Sequence, residues 1–178
     1  MKEYKGKISV IVPAFNEEQH ITDNVKEIIK VLDEAADDYE IIIVDDGSRD
    51  ETYENALAAC SHLFHVQVVK SDSNLGKGNA LKYGFQFVDG DLVAFLDADL
   101  DLPPIQILTL FNFLVENEAD IAIGSKRHPN SMLEYPSTRK LMSNAYFYMI
   151  KILFRLPIRD TQTGIKLFKH EVLQDVFP

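Results

Sequence analysis

Leu92–Pro104 reads LVAFLDADLDLPP, and the reading of the whole chain turns on it. Five apolar residues, Leu92 to Leu96, run straight into three carboxylates at alternate positions, Asp97, Asp99 and Asp101, and two prolines follow. An uninterrupted apolar run is what a strand buried on both faces requires, and it predicts a parallel strand leaving the core at its carboxyl end. Three acids this close repel one another unless a cation sits among them, and hard oxygen donors suit Mg²⁺ or Mn²⁺. A solvated acidic loop has the same spelling, so the rest of the chain must decide between the two.

Working outward, short β-branched runs alternate with stretches of helical periodicity. Ile8–Pro13, Glu40–Val44, Val66–Val69 and Ile121–Ile123 predict four further strands, and Ile165–Phe168 a short last one. Between them, Ile21, Val25, Ile28, Ile29 and Leu32 recur at helical spacing, as do Ile107, Leu108, Phe111 and Leu114. Asn16 is placed to cap the first helix, and Ser48 with Glu51 has capping-box spacing for the second. Asn74–Gly78 turns into a third helix, and Pro103 and Pro104 suit the opening turn of a fourth. The alternation predicts an α/β fold: an open, mostly parallel twisted sheet with helices on both faces.

In such a sheet, ligands bind outside the carboxyl ends of the strands. The polar clusters fall at those ends: Pro13–Glu17, Asp45–Ser48, Asp97–Asp101 and Lys126–Arg127. Asp46 is suited to accept hydrogen bonds from a base or ribose, and equally to a structural turn. Gly76 and Gly78 let backbone approach a ligand, with Lys77 as a point charge for phosphate. The loop does not match G-x-x-x-x-G-K-[ST], and no G-x-G-x-x-G follows the first strand, which argues against a P-loop ATPase and a dinucleotide oxidoreductase. No G-x-S-x-G is present for a serine hydrolase.

The 178 residues suit a single domain, with 46% hydrophobic and 26% charged residues. A net charge of -10 argues against nucleic acid as a partner. One cysteine, Cys60, excludes an internal disulfide, and the start, MKEYKGKISV, lacks the apolar stretch of a signal peptide. Charge is uneven, however. Residues 126–170 hold nine Lys and Arg against Glu134 and Asp160, and this basic stretch points to an anionic partner or a solvated basic face. Within it, Ser137 can cap a helix that is apolar over a wide arc but broken by Lys151 and Arg155, either a core or dimer helix or an interfacial one. The chain stops at Pro178 without a terminating feature, which leaves room for a longer protein.

Taken together, VPAFNEE (12–18), VDDGS (44–48), LGKGNAL (75–81), DADLDLPP (97–104), GSKRHP (124–129) and RDTQTGIKLF (159–168) resemble family 2 glycosyltransferases of GT-A fold. Among these the motifs are most similar to the polyprenyl-phosphate (dolichyl-phosphate) mannosyl- and glucosyltransferases. The resemblance implies an inverting, metal-dependent enzyme that moves a hexose from UDP-glucose or GDP-mannose to a polyprenyl phosphate. A saccharide or glycolipid hydroxyl as acceptor, or a nucleotide-sugar-binding domain without turnover, are the alternatives it leaves. Residues 1–125 would form the nucleotide-sugar half and 126–178 the acceptor and membrane-facing segment of one catalytic domain.

By motif position, Pro13, Phe15 and Glu17 would line the nucleotide pocket, with Val44 and Asp46 beside the base and ribose. Asp97 and Ala98 would contact the nucleotide, and Asp99, helped by Asp101, would hold Mg²⁺ or Mn²⁺ on the diphosphate. Lys126 or Arg127 would meet the diphosphate or the acceptor phosphate. Asp160 is the acidic candidate on the acceptor side: a base, a partner orienting Arg159 or Lys166, or a loop ion pair. Arg139 and Lys140 would lie on an anionic membrane surface, at the cytoplasmic face, held peripherally, by a partner or by a membrane segment outside this sequence.

Overall fold

In a computed structural model, residues 6–125, 137–155, 160 and 163–177 are described, with 137–145 as helix backbone alone. The elements are β1 (Ile8–Ala14), α1 (Ile21–Ala35), β2 (Tyr39–Asp45), α2 (Thr52–Cys60), β3 (Val66–Lys70), α3 (Lys77–Phe85), β4 (Leu92–Phe95), α4 (Gln106–Glu116), β5 (Ile121–Ile123), α5 (Ser137–Phe154), β6 (Lys166–Lys169) and α6 (His170–Val176). They form a sheet of order β3-β2-β1-β4-β6-β5. β1 pairs in parallel with β2 and β4, and β2 with β3, whereas β6 runs antiparallel to β4.

The pleat sends alternate residues of each strand to opposite faces. On one face Val10, Val12, Ile41 and Ile43 pack with Ile21, Val25, Ile28 and Leu32 of α1, Ala56 of α2, and Ile107, Phe111 and Leu114 of α4. On the other, Ile11, Ile42, Val44, Val93 and Phe95 pack with Ala80 and Leu81 of α3 and Leu173 of α6. Both faces are covered, as the continuous apolar runs require.

Two compact units are distinguished: residues 1–122 with 164–178, and 123–163. The first contains the sheet's main body and holds β6 and α6, so the basic stretch expected as one acceptor segment contributes its last part to the sheet. Lys169 N donates to Asp120 O and His170 N to Asp91 O, which ties that part to the ends of the neighbouring strands. The second unit carries α5. On it Tyr148, Met149, Ile152, Leu153 and Phe154 are all exposed, which excludes a core role for that turn of the helix within its own unit. No helix among the described residues is long and apolar enough to cross a membrane.

Two expected caps are corrected. α1 begins at Ile21, not beside Asn16, and α2 at Thr52, with no side-chain cap on either. Asn16 lies at φ 55 and its Oδ1 accepts from Arg49 N at 3.1 Å, while Ser48 Oγ accepts from Asn16 N at 2.9 Å. Glu17 N donates to Thr52 Oγ1 at 2.7 Å, and Glu51 N to Glu18 Oε2 at 3.2 Å. The polar side chains therefore cap each other's loops across 32 to 35 positions rather than their own helices. Local spacing cannot distinguish the two, because a hydroxyl satisfies any amide within reach.

Candidate active site

The carboxyl ends of β1, β2 and β4 lie side by side, since Pro13 is in register with Val44 and Ile11 with Phe95. Parallel pairing thus delivers Phe15–Glu17, Asp45–Ser48 and Asp97–Asp101 to one edge. Phe15 is exposed, Pro13 and Glu17 half-buried. Burial pushes the Glu17 carboxyl above its ordinary value, and the negative charge of Asp99 raises it further. That coupling joins the end of β1 to the acids after β4.

The three acids differ in surroundings. Asp97, partly exposed, forms an ion pair with Lys77 at the start of α3. Gly164 lies against the same carboxylate: a Cβ there would come within 1.9 Å of Asp97 Oδ2, so a larger residue would displace that carboxylate. Asp99 is exposed, and its Oδ1 accepts Asp101 N at 3.1 Å in a turn whose Leu100 has φ 51. Asp101 is exposed as well. Among the described residues no three acidic, thiol or imidazole side chains converge as a metal cage. The donors that are present, Asp99 and Asp101 with Glu17 nearby, are hard oxygens open to solvent. They suit a small cation that completes its shell with phosphate oxygens and water, as Mg²⁺ does.

Three of the expected nucleotide-side residues are buried. Asp46 is 3% exposed, and its two carboxylate oxygens accept Leu75 N at 3.1 Å and Gly76 N at 2.9 Å. It anchors the glycine loop ahead of α3, the structural-turn role that the sequence also allowed. Val44 has no exposed surface and belongs to the core under α3, and Ala98 is 3% exposed. The Ala98 carbonyl accepts Asn24 Nδ2 at 2.7 Å, an anchor from α1 that sequence reading missed for want of any local signal. Gly47 closes the same region: at φ +69, a Cβ would come within 2.5 Å of the Ser73 backbone.

Asp160, half-buried and not without interaction partners, belongs to the second unit. Lys126 and Arg127 lie outside the described residues, as do the side chains of Arg139 and Lys140.

The family model described as "Glycosyl transferase family 2" aligns with residues 9–177. The chain belongs to glycosyl transferase family 2. Within that family it is 34% identical to a dolichol-phosphate mannosyltransferase of Pyrococcus furiosus, over 96% of this chain and 48% of the relative. It is 32% identical to the dolichyl-phosphate beta-glucosyltransferase of Homo sapiens, over 96% of this chain and 57% of the relative. The family 2 chain thus spans about half the length of these curated relatives.

Solved structures agree on the GT-A architecture. The mannosyltransferase PcManGT from Pyrobaculum calidifontis, solved in complex with GDP-Man and Mn²⁺, superposes with a TM-score of 0.69 at 21% identity, over 97% of this chain and 47% of that one. The glucosyl-3-phosphoglycerate synthase of Mycobacterium tuberculosis superposes at 0.66 with 26% identity, over 96% and 60%.

Proposed function

We propose that this family 2 domain catalyses an inverting, metal-dependent transfer of a hexose from a nucleoside-diphosphate sugar, UDP-glucose or GDP-mannose, to a polyprenyl phosphate. One observation carries the reading: parallel strand pairing brings Glu17, Asp99 and Asp101 to the open carboxyl edge of the sheet, and none of the three has a Lys or Arg partner among the described residues. Acids left without a cation at one edge are an arrangement that a cation-bound diphosphate would complete. The names of the curated relatives support a polyprenyl-type acceptor.

In this reading the C1–oxygen bond to the diphosphate breaks as an acceptor phosphate oxygen attacks C1 from the opposite face, and the nucleoside diphosphate leaves. Asp99 and Asp101 would hold Mg²⁺ or Mn²⁺, whose bound charge supplies stabilisation of the negative charge that grows on the leaving oxygen. Phe15 and Pro13 offer a wall beside the base. Lys77 is within the same edge as a cation for phosphate. An acceptor phosphate is already ionised at neutral pH, so alignment matters more than a general base. Asp160 then orients cationic neighbours on the acceptor side.

The exposed apolar residues of α5, Tyr148, Met149, Ile152, Leu153 and Phe154, support a lipid-facing role for the second unit. Arg139 and Lys140 precede them on the same helix. We place the protein at the cytoplasmic face of a membrane, attached peripherally or through a partner or segment outside residues 1–178. Binding to vesicles with anionic lipid tests the attachment; a chain indifferent to charge reversal of both Arg139 and Lys140 contradicts it.

Incubation with a panel of nucleotide sugars, polyprenyl phosphate and Mn²⁺ tests the reaction. The expected product is a glycosyl-phosphate lipid from one donor. Transfer to a sugar hydroxyl in its place would move the acceptor to the saccharide class, and nucleotide-sugar binding without any product would make this a binding domain.

A further inference from the structure

Lys77 and Asp97 neutralise each other across the mouth of the site. Lys77 is the first residue of α3, and its side chain is about half exposed, whereas Asp97 lies two residues beyond β4 with its other oxygen against Gly164. Both partners of the pair are therefore within reach of a ligand. Asp99, two residues on, has no Lys or Arg partner among the described residues.

We propose that this ion pair is an exchange latch that selects nucleoside diphosphates over free phosphate anions. The inference rests on the donor reading above, in which Lys77 meets the diphosphate. A phosphate that captures Lys77 must take it from Asp97 and leave that carboxylate uncompensated. A bare anion offers Asp97 nothing in return. A nucleoside diphosphate offers phosphate oxygens to Lys77 and also hydroxyl and N–H donors, which an acceptor-only carboxylate can use. The pair therefore penalises inorganic pyrophosphate and spares the nucleotide.

Equilibrium binding separates these outcomes, with EDTA present so that no metal contributes. The probes are inorganic pyrophosphate, UDP and GDP, and thermal unfolding of each variant confirms that it is folded. Asp97→Asn frees Lys77 and is expected to tighten pyrophosphate roughly three- to fivefold, the range of a partly exposed ion pair. The same variant leaves whichever nucleoside diphosphate binds unchanged or weaker. Lys77→Met added to Asp97→Asn abolishes the gain, and Lys77→Arg retains the wild-type preference. Asp101→Asn removes the same charge without touching Lys77, so its effect on pyrophosphate should be smaller and should survive Lys77→Met.

Equal gains in Asp97→Asn and Asp101→Asn, a gain that persists without Lys77, or parallel shifts for pyrophosphate and nucleotide overturn the latch. So does failure of every variant to bind pyrophosphate. None of these measurements requires sugar transfer, so absence of a glycolipid product would refute the proposed reaction and leave the latch to be judged on its own binding data.

Discussion

The amino and carboxyl ends of the same three strands carry acids in opposite circumstances. At the amino ends, Glu40 accepts Lys7 Nζ at 2.8 Å, Ser9 Oγ at 2.5 Å and Asp89 N at 2.8 Å, and Asp89 takes a second bond from Lys7. Ser9 Oγ, fully buried, accepts Gly90 N at 2.9 Å, so β1, β2 and the approach to β4 share one satisfied network. At the carboxyl ends, Glu17, Asp99 and Asp101 have no Lys or Arg partner among the described residues, whereas Asp45 is paired with Lys70 and Asp97 with Lys77. The hydrogen bond from Lys7 draws Asp89 below the usual carboxylate range, while burial and Asp99 push Glu17 above it. Satisfied acids tie strands together; unsatisfied ones hold a place for a ligand at some cost in stability.

The strongest break of this comparison is Asp99→Ala. Transfer should fall by about 100-fold or more, the scale of losing a group that stabilises developing charge, while the urea midpoint stays where it was. Wild-type rates in that variant would remove Asp99 from the metal and the site from β4. At the opposite edge, Glu40→Ala should lower unfolding free energy by about 3 kcal/mol, because Ser9 Oγ and Lys7 lose their acceptor. Activity per folded molecule should be unchanged. A midpoint that does not move would show the amino-end network to be ornamental.

Gly164→Ala crosses the two categories. Its Cβ collides with Asp97, so it should cost about 1–2 kcal/mol by urea unfolding and weaken nucleotide binding at the same time. Loss of stability with unaltered binding would separate that contact from the site.

The smallest effect lies in the pH dependence. In the folded chain Glu17 holds its proton to higher pH than the ordinary 4.5, so stability falls as pH rises from that value through the raised one. Glu17→Gln should therefore be slightly more stable than wild type at neutral pH, the gain vanishing below pH 4.5. Asp89 runs the other way. Its folded value is lowered, so its contribution is present above 3.8 and disappears as pH falls through the lowered value. Asp89→Asn should be slightly less stable at neutral pH, and parallel pH profiles for the two variants would erase the distinction.

Much of this was legible along the chain. The apolar runs at 8–13, 40–44, 66–69 and 92–96 marked their strands within a residue or two, because a strand buried on both faces must be apolar throughout. The acidic run after β4 was equally plain. Less legible were the roles of polar residues one turn away. Residue type left Asp46 open between a ligand and a structural turn and placed Ser48 at a helix cap; Asp46 holds the glycine loop, and Ser48 caps Asn16 instead of its own helix. Val44 carried a motif position but sits in the core.

By itself, then, the sequence determined the α/β alternation, the strand-end placement of the polar clusters and the family, since these depend on short-range pattern and residue type. Only tertiary structure decided which acids meet cations and which are left facing one another. It also set β6 antiparallel between β4 and β5, brought Gly164 onto Asp97 and joined Lys77 to the same carboxylate. Those pairings span up to 77 positions, as between Leu92 of β4 and Lys169 of β6. No local spacing encodes contacts of that range; they arise when strand pairing fixes which chain ends become neighbours.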